Sequence, residues 1–444
     1  MEEFGLVFAG GGAKGSYEIG VWKALMELKI PIIAVAGTSV GALNGAMVVQ
    51  GDFEAAKSIW TDISVQDVMD VQKDILDKES STSSFMDRIN MIKETIIGGG
   101  LDVTPLSNLL HSVIDEEKIR KSPIDLGLVT FSLTDFKPVR LFKDDIPEGQ
   151  LIDYLMASAC FPAFKPKEID NKRFIDGGVY DNIPISLITE KGIKNIIVVD
   201  ISGVGMPKKV DTDGLNIINI KTSQDLGKTL DFDKERSKVN MEIGYLDALK
   251  AFGRINGKKY YIMPDDNNLK NRDDIGPDLL LSMYRIIGIT PSSTPTPLSR
   301  SITVKLFKNI DRYMDEQLNK KDAMYMALSE ITAEQLGIEK KATYTLEGLN
   351  EEIIDQINSI LERDEFKEYS KNIPALLSKT GTAERDIKRV LSVIKADKRC
   401  LAIYLATCEL TDEKMDSLRK LIAMTMPKLS ISAIYICTIL ESIK

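Results

Sequence analysis

The apolar run at residues 32–36 leads straight into Gly37-Thr38-Ser39-Val40-Gly41, and the helix-forming stretch Val40–Gln50 follows without a loop. A serine set into so sharp a strand-to-helix turn must take a strained backbone, and the glycines two places to either side relieve the crowding. Its hydroxyl then stands clear of the main chain, facing the positive N-terminal end of the helix. A second turn of the same kind precedes it. Residues 5–9 are apolar and lead into Gly10-Gly11-Gly12-Ala13-Lys14-Gly15, after which residues 16–28 place Val21, Trp22, Leu25 and Leu28 on one helical face. Two strand–turn–helix units in succession predict parallel strands covered by helices.

The alternation continues, with further strands expected at residues 126–133, 139–142, 173–175, 195–201, 215–220 and 260–263. The expected fold class is therefore α/β, built on a mainly parallel central sheet. Residues 1–290 form the first expected domain. Within it residues 64–100, carrying Ser80–Ser84 and Gly98–Gly100, read as an insertion. Residues 291–300 open on Pro291-Ser292-Ser293-Thr294-Pro295-Thr296-Pro297 and read as a linker. Residues 301–444 are predicted mostly helical, and their sequence carries no recognisable chemistry. There Val304, Phe307, Ile310 and Met314 mark an expected apolar face, with Lys305, Lys308 and Arg312 beside it. That segment is expected to pack on its own domain, a membrane interface being the alternative.

Composition removes several classes of function. The 444 residues are 43% hydrophobic, a globular rather than a disordered balance. The 57 Lys+Arg against 66 Asp+Glu give a net charge of −9 with no basic block. This argues against nucleic-acid binding and against stable recruitment to anionic lipid by a polybasic face. The four cysteines, Cys160, Cys400, Cys408 and Cys437, form no C-x-x-C pair. Asp211-Thr212-Asp213-Gly214 lacks the glutamate of a calcium loop and reads as a turn, so no metal and no cofactor is expected. Acidic Met1-Glu2-Glu3 is unlike a secretory leader, and residues 429–440 are shorter than the roughly 20 residues of a membrane span. A cytoplasmic protein is the expectation.

The glycine block fits G-x-G-x-x-G, which serves a dinucleotide site, an oxyanion hole or a plain tight turn. A ribose-binding strand would end in Asp or Glu about 20 residues on. Here the next strand ends in Ser39, 24 residues after Gly15, which favours acyl-transfer chemistry over a dinucleotide. A serine nucleophile needs a base. The one histidine, His111, falls on the polar side of the helical pattern at residues 106–119 and precedes every position at which a hydrolase triad would carry it. The alternative is Asp176-Gly177-Gly178, directly after Phe174-Ile175. A carboxylate at a strand end followed by two glycines reaches a hydroxyl unobstructed, and burial would strengthen it as a base. Asp-Gly is equally a turn dipeptide, and on these residues alone both readings stand.

Gly-Gly-Gly-Ala-Lys-Gly, Gly-Thr-Ser-Val-Gly and Asp-Gly-Gly in that order resemble the patatin-like phospholipase family. The resemblance spans roughly residues 4–264. It implies a three-layer fold, a Ser–Asp dyad without histidine and lipid acyl hydrolysis through an acyl-enzyme. It assigns Ser39 as nucleophile, Asp176 as general base, and the N–H groups of Gly11 and Gly12, with Ala13, as the oxyanion hole. Ala157-Ser158-Ala159-Cys160-Phe161-Pro162 looks like the block preceding the family aspartate, and Asn182 matches a recurrent position beside the dyad. The implied partners are a lipid or other fatty-acyl ester and, transiently, a membrane surface. A transacylase with the same dyad, and a scaffold acting through the C-terminal helices, are the competing readings; intact Ser39 and Asp176 weigh against the scaffold.

Overall fold

The structure is a computed structural model that describes residues 2–70, 100–203, 205–264, 276–289, 296–316, 318–340 and 342–442. Most of the expected insertion (residues 71–99) and part of the expected linker (residues 290–295) lie outside the described residues. The chain divides into two compact units between Phe252 and Gly253.

In the first unit β1 (Phe4–Phe8), β2 (Ile32–Thr38), β3 (Asp125–Ser132), β4 (Lys137–Phe142), β5 (Lys167–Ile169), β6 (Lys172–Asp176), β7 (Asn195–Val199) and β8 (Asn216–Ile220) form one sheet. Its order is β5-β6-β3-β2-β1-β7-β8, with β4 also paired to β3. Strands β3, β2, β1, β7 and β8 run parallel, whereas β4, β5 and β6 join antiparallel. The α/β class with a mostly parallel sheet holds. Every residue of β1 is buried because both faces of the sheet are covered, which is why such strands read as unbroken apolar runs. Leu6 and Phe8 pack on one face among residues of α1 (Ser16–Glu27) and α2 (Val40–Gln50). Val7 packs on the other against Leu187 and Ile188 of α6 (Ile185–Glu190). The first face also carries α3 (Phe53–Asp62), α4 (Thr104–Val113), α5 (Leu151–Ser158) and α7 (Lys234–Ala251).

Three local expectations change. The single helix expected at residues 106–119 breaks after α4, because Asp115 turns out of the helix and its carboxylate caps a new one, Glu116–Lys121, by accepting from Lys118 N–H. Strand β5 escapes prediction because it is three residues long and begins Lys-Glu. The strand expected at residues 260–263 does not join this sheet. Tyr261–Ile262 lies in the second unit and pairs in parallel with Thr343–Tyr344.

That second unit is otherwise helical, from Gly276–Ile287 to Pro427–Ser442. The long apolar stretch near the C-terminus belongs to its core, with Leu429, Ile431, Ala433 and Ile436 buried. Among the described residues no single helix is long and apolar enough to cross a membrane. Helix Pro297–Asp311 buries Ile302, Leu306 and Ile310, residues four apart on one stripe. Val304 and Phe307, expected on the packed face, are instead 66% and 44% exposed.

One contact in the first unit sets a helix spacing. An added Cβ at Gly20 of α1 would lie 1.8 Å from Met241 O, and one at Gly244 of α7 would lie 2.0 Å from Tyr17 O. The two backbones touch. Alanine is the better helix former by about 1 kcal/mol, yet each methyl would drive these helices apart. Gly20→Ala and Gly244→Ala are each expected to lower unfolding free energy by about 1–3 kcal/mol in urea denaturation.

Candidate active site

The pairing of β3 brings the two key side chains together. Strand β4 occupies one edge of β3 along residues 127–132. The other edge is shared. Parallel β2 pairs as far as Thr38 opposite Val129, and antiparallel β6 takes over with Asp176 opposite Thr130. Two strands thus run toward each other along one edge, and their C-terminal ends meet. Neither can continue. Beyond β2 the chain turns at Ser39, whose φ of 57° and ψ of −130° are the strained elbow expected from the sequence. An added Cβ at Gly37 would lie 2.2 Å from Gly41 O, and one at Gly177 would lie 2.2 Å from Val129 O, so both turns need glycine.

The Ser39 hydroxyl, 137 positions away in the chain, lies close enough to the Asp176 carboxyl to lower its proton affinity. Asp176 is 5% exposed. Burial pushes its carboxyl up to about 6, against the opposing pull of the Ser39 hydroxyl and of Gly178 N–H, which donates to it at 2.7 Å. Ser39 N–H donates to Ser158 Oγ at 3.0 Å, and Ser158 in turn donates to Val129 O at 2.7 Å. The elbow is thereby pinned to β3. Cys160 O accepts from Asp176 N–H at 2.7 Å, which fixes the other side of the pair. Thr38 Oγ1 donates to Asp181 O. The small-residue block around Ser158 stands out in the sequence, but nothing local marks which of its residues touches the elbow. The Cys160 thiol is buried and pushed up to about 12, the state of an inert thiol.

The glycine loop is narrower in its capacity than its sequence suggested. Gly10 N–H donates to Asn182 O, Ala13 N–H to Thr229 O at 2.8 Å, and Lys14 N–H to Gly11 O. Ala13, expected to contribute to an oxyanion hole, is therefore committed elsewhere. Gly11 and Gly12 have no acceptor among the described residues, and both border the same cavity as Ser39. Gly12 has φ 58°, and a Cβ there would meet Thr229 O at 2.1 Å. Gly15 serves packing, with Val40 and Trp60 side chains against it. The Lys14 ammonium donates to Ser202 O, and Asn182 Nδ2 donates to Gly10 O, holding the loop from both sides.

The cavity has a volume of about 100 Å³ and is predominantly apolar. Leu43 and Met47 of α2, Trp60 of α3, Leu106 and Leu110 of α4, and Phe164 line it, with Ser39, Asp176, Gly11 and Gly12 among its few polar contributors. Asn44 supplies another: its amide donates to Gly15 O and to Glu18 and accepts from the Trp60 indole. His111 is exposed, while Leu106, Leu109, Leu110 and Val113 of the same helix line the cavity. Asp211–Gly214 forms a turn in which Asp213 N–H donates to Asp211.

Residues 6–188 match the family model for Patatin, described as patatin-like phospholipase. The similarity to patatin-like phospholipases is confined to this stretch, which is less than half of the chain. It is 27% identical over 202 residues to human (Homo sapiens) patatin-like phospholipase domain-containing protein 6, a stretch covering 44% of this chain and 13% of that one. It is 28% identical over 209 residues to lysophospholipase NTE1 of Cryptococcus neoformans, covering 46% of this chain and 11% of that one. The chain thus spans only a small part of these relatives' length. Among solved structures, VipD from Legionella pneumophila aligns over 97% of this chain and 92% of its own at 15% identity, with a TM-score of 0.38.

The raised Asp176 pKa carries a stability consequence. A carboxyl held above its unfolded value favours the fold in its neutral form; that contribution is complete below about pH 4 and is lost as pH rises through about 6. At neutral pH the ionised group is a liability. Asp176→Asn removes the charge at every pH, so it is expected to raise unfolding free energy by about 1–3 kcal/mol at pH 8, a gain that vanishes near pH 4. Urea titrations at the two pH values check it.

Proposed function

We propose that this chain hydrolyses fatty-acyl esters, with Ser39 as nucleophile and Asp176 as general base. The nearness of these two side chains, both lining one predominantly apolar cavity, carries the reading. Ser39 Oγ forms a bond to the acyl carbon as its proton passes to Asp176. The carbonyl oxygen takes up negative charge beside the uncommitted N–H groups of Gly11 and Gly12. Collapse of that adduct breaks the ester bond, and the departing alkoxide takes the proton from Asp176. Water then gives a proton to Asp176 and attacks the acyl-enzyme, and the carboxylic acid leaves as Ser39 regains its proton. Each step balances between two oxygens without an imidazole.

The cavity wall supports an acyl chain rather than a polar group as the part of the substrate held inside. Lipid esters are the substrate class that presents such a chain, and water is the acceptor proposed here. A transacylase would use the same dyad and differ only in passing the acyl group to an alcohol.

A fluorophosphonate probe should label the wild type at Ser39 and leave Ser39→Ala unlabelled; an unlabelled wild type that releases no fatty acid from any ester would overturn the proposal. Because the base acts ionised, kcat/KM should fall as pH drops through about 6. Removing a donor of the oxyanion site typically costs about 10²–10³ in kcat, and Gly12→Ala, which displaces the loop, should fall in that range. Hydrolysis of a soluble short-chain ester measures both.

A further inference from the structure

Four large apolar side chains are exposed among the described residues of the first unit: Met26, Phe136, Val179 and Met206. Their placement is uneven. Met26 lies near the end of α1, at the N-terminal edge of the sheet, to which α1 returns before β2 begins. The other three lie at the opposite edge, where Ser39 and Asp176 stand. Phe136 occupies the turn between β3 and β4, Val179 follows the Asp176 turn, and Met206 lies in the segment after β7. Strand β3 continues past Thr130 to Ser132, so the Phe136 turn projects on the order of 10 Å beyond the level of the dyad.

Two of these positions are held open. Phe136 is 81% exposed and has φ 51°, a left-handed backbone that a bulky residue resists and that Asn or Gly would adopt freely. Its ring is steadied only edge-on, by Phe131 at 5.6 Å. Met206 is 61% exposed, yet its backbone is fixed at both ends: its N–H donates to Gly178 O and its O accepts from Asn182 N–H. The side chain therefore points outward from the rim of the dyad turn. Exposed Lys137 adjoins Phe136, and exposed Lys208 and Lys209 follow Met206, with Lys208 over the Tyr180 ring. Asp135, the nearest acid in the hairpin turn, is paired with Lys172.

We propose that this end of the sheet is a lipid-docking face. Phe136 and Met206 insert among acyl chains, Val179 extends the apolar contact, and Lys137, Lys208 and Lys209 meet headgroup phosphates. The proposal deepens the ester-hydrolase reading and uses it for its purpose, since a lipid taken from such a surface arrives beside Ser39; the binding itself is independent of catalysis. Apolar insertion by so few side chains gives a reversible contact, in keeping with the overall charge of −9.

The test uses the full chain, phosphatidylcholine vesicles and a soluble monomeric butyrate ester. Phe136→Asn suits the left-handed turn and so removes the ring without adding strain; it is combined with Met206→Ser. The double variant should lose about tenfold in vesicle partitioning measured by sedimentation, and a similar factor in hydrolysis of vesicle lipid, while butyrate hydrolysis stays within about twofold. Phe136→Trp should raise partitioning. Unchanged partitioning in the double variant, or equal loss on both substrates, overturns the docking face. A wild type that partitions through Phe136 but hydrolyses neither ester supports the face and overturns the ester-hydrolase reading instead.

Discussion

One edge of β3 cannot serve two strands at the same residue, and the rest of the site depends on that constraint. Parallel β2 claims it up to Val129 and antiparallel β6 from Thr130 onward. Each incoming strand must leave the sheet where the other begins. The departures are the Ser39 elbow and the Asp176 turn, so the hydroxyl and the carboxyl meet because backbone hydrogen bonding has run out of room for both chains. The nearness of the two side chains is a consequence of the strand ends' placement. The glycines at 37 and 177 are what that crowding demands, since a methyl at either would strike a carbonyl of the neighbouring backbone.

Buried polar groups then fix the arrangement. Ser158 reaches from α5 to accept from Ser39 N–H and donate to Val129 O, so a single hydroxyl ties elbow, strand and helix. On the cavity side Asn44 links α2 to the glycine loop, to Trp60 and to Glu18. Glu18 is wholly buried, and burial holds its carboxyl well above the usual carboxylate range, the condition of a neutral acid. Neutrality suits a group beneath an apolar wall, where an isolated charge would be costly. The cavity wall is thus predominantly apolar, with its polar side chains at the dyad, beside the glycine loop and at Asn44.

Much of this was legible in the chain because the deciding signals are local. A glycine two places on either side of a serine at a strand end specifies the elbow, and the polar-side position of His111 in a helical pattern matches its exposure. What escaped was long-range. Nothing near Ala13 announces that its N–H will be taken by Thr229, more than two hundred residues later. The antiparallel entry of β6 into a parallel sheet, which brings Asp176 to Ser39, depends on pairing that no short segment encodes. In the second unit Val304 and Phe307 misled for a different reason: periodicity marks a stripe as apolar without saying whether anything covers it, and the stripe through Ile302, Leu306 and Ile310 is the one that does pack.

The depth at which Asp176 sits ties its proton affinity to whatever fills the space beside it. With water in the cavity the ionised carboxyl retains some solvation, and its basicity is at its lowest. In the reaction proposed here, a hydrocarbon tail filling the cavity would withdraw that solvation and raise the proton affinity of Asp176 as a carbonyl came within reach of the serine. In that reaction the empty site would thus be a weaker base than the filled one.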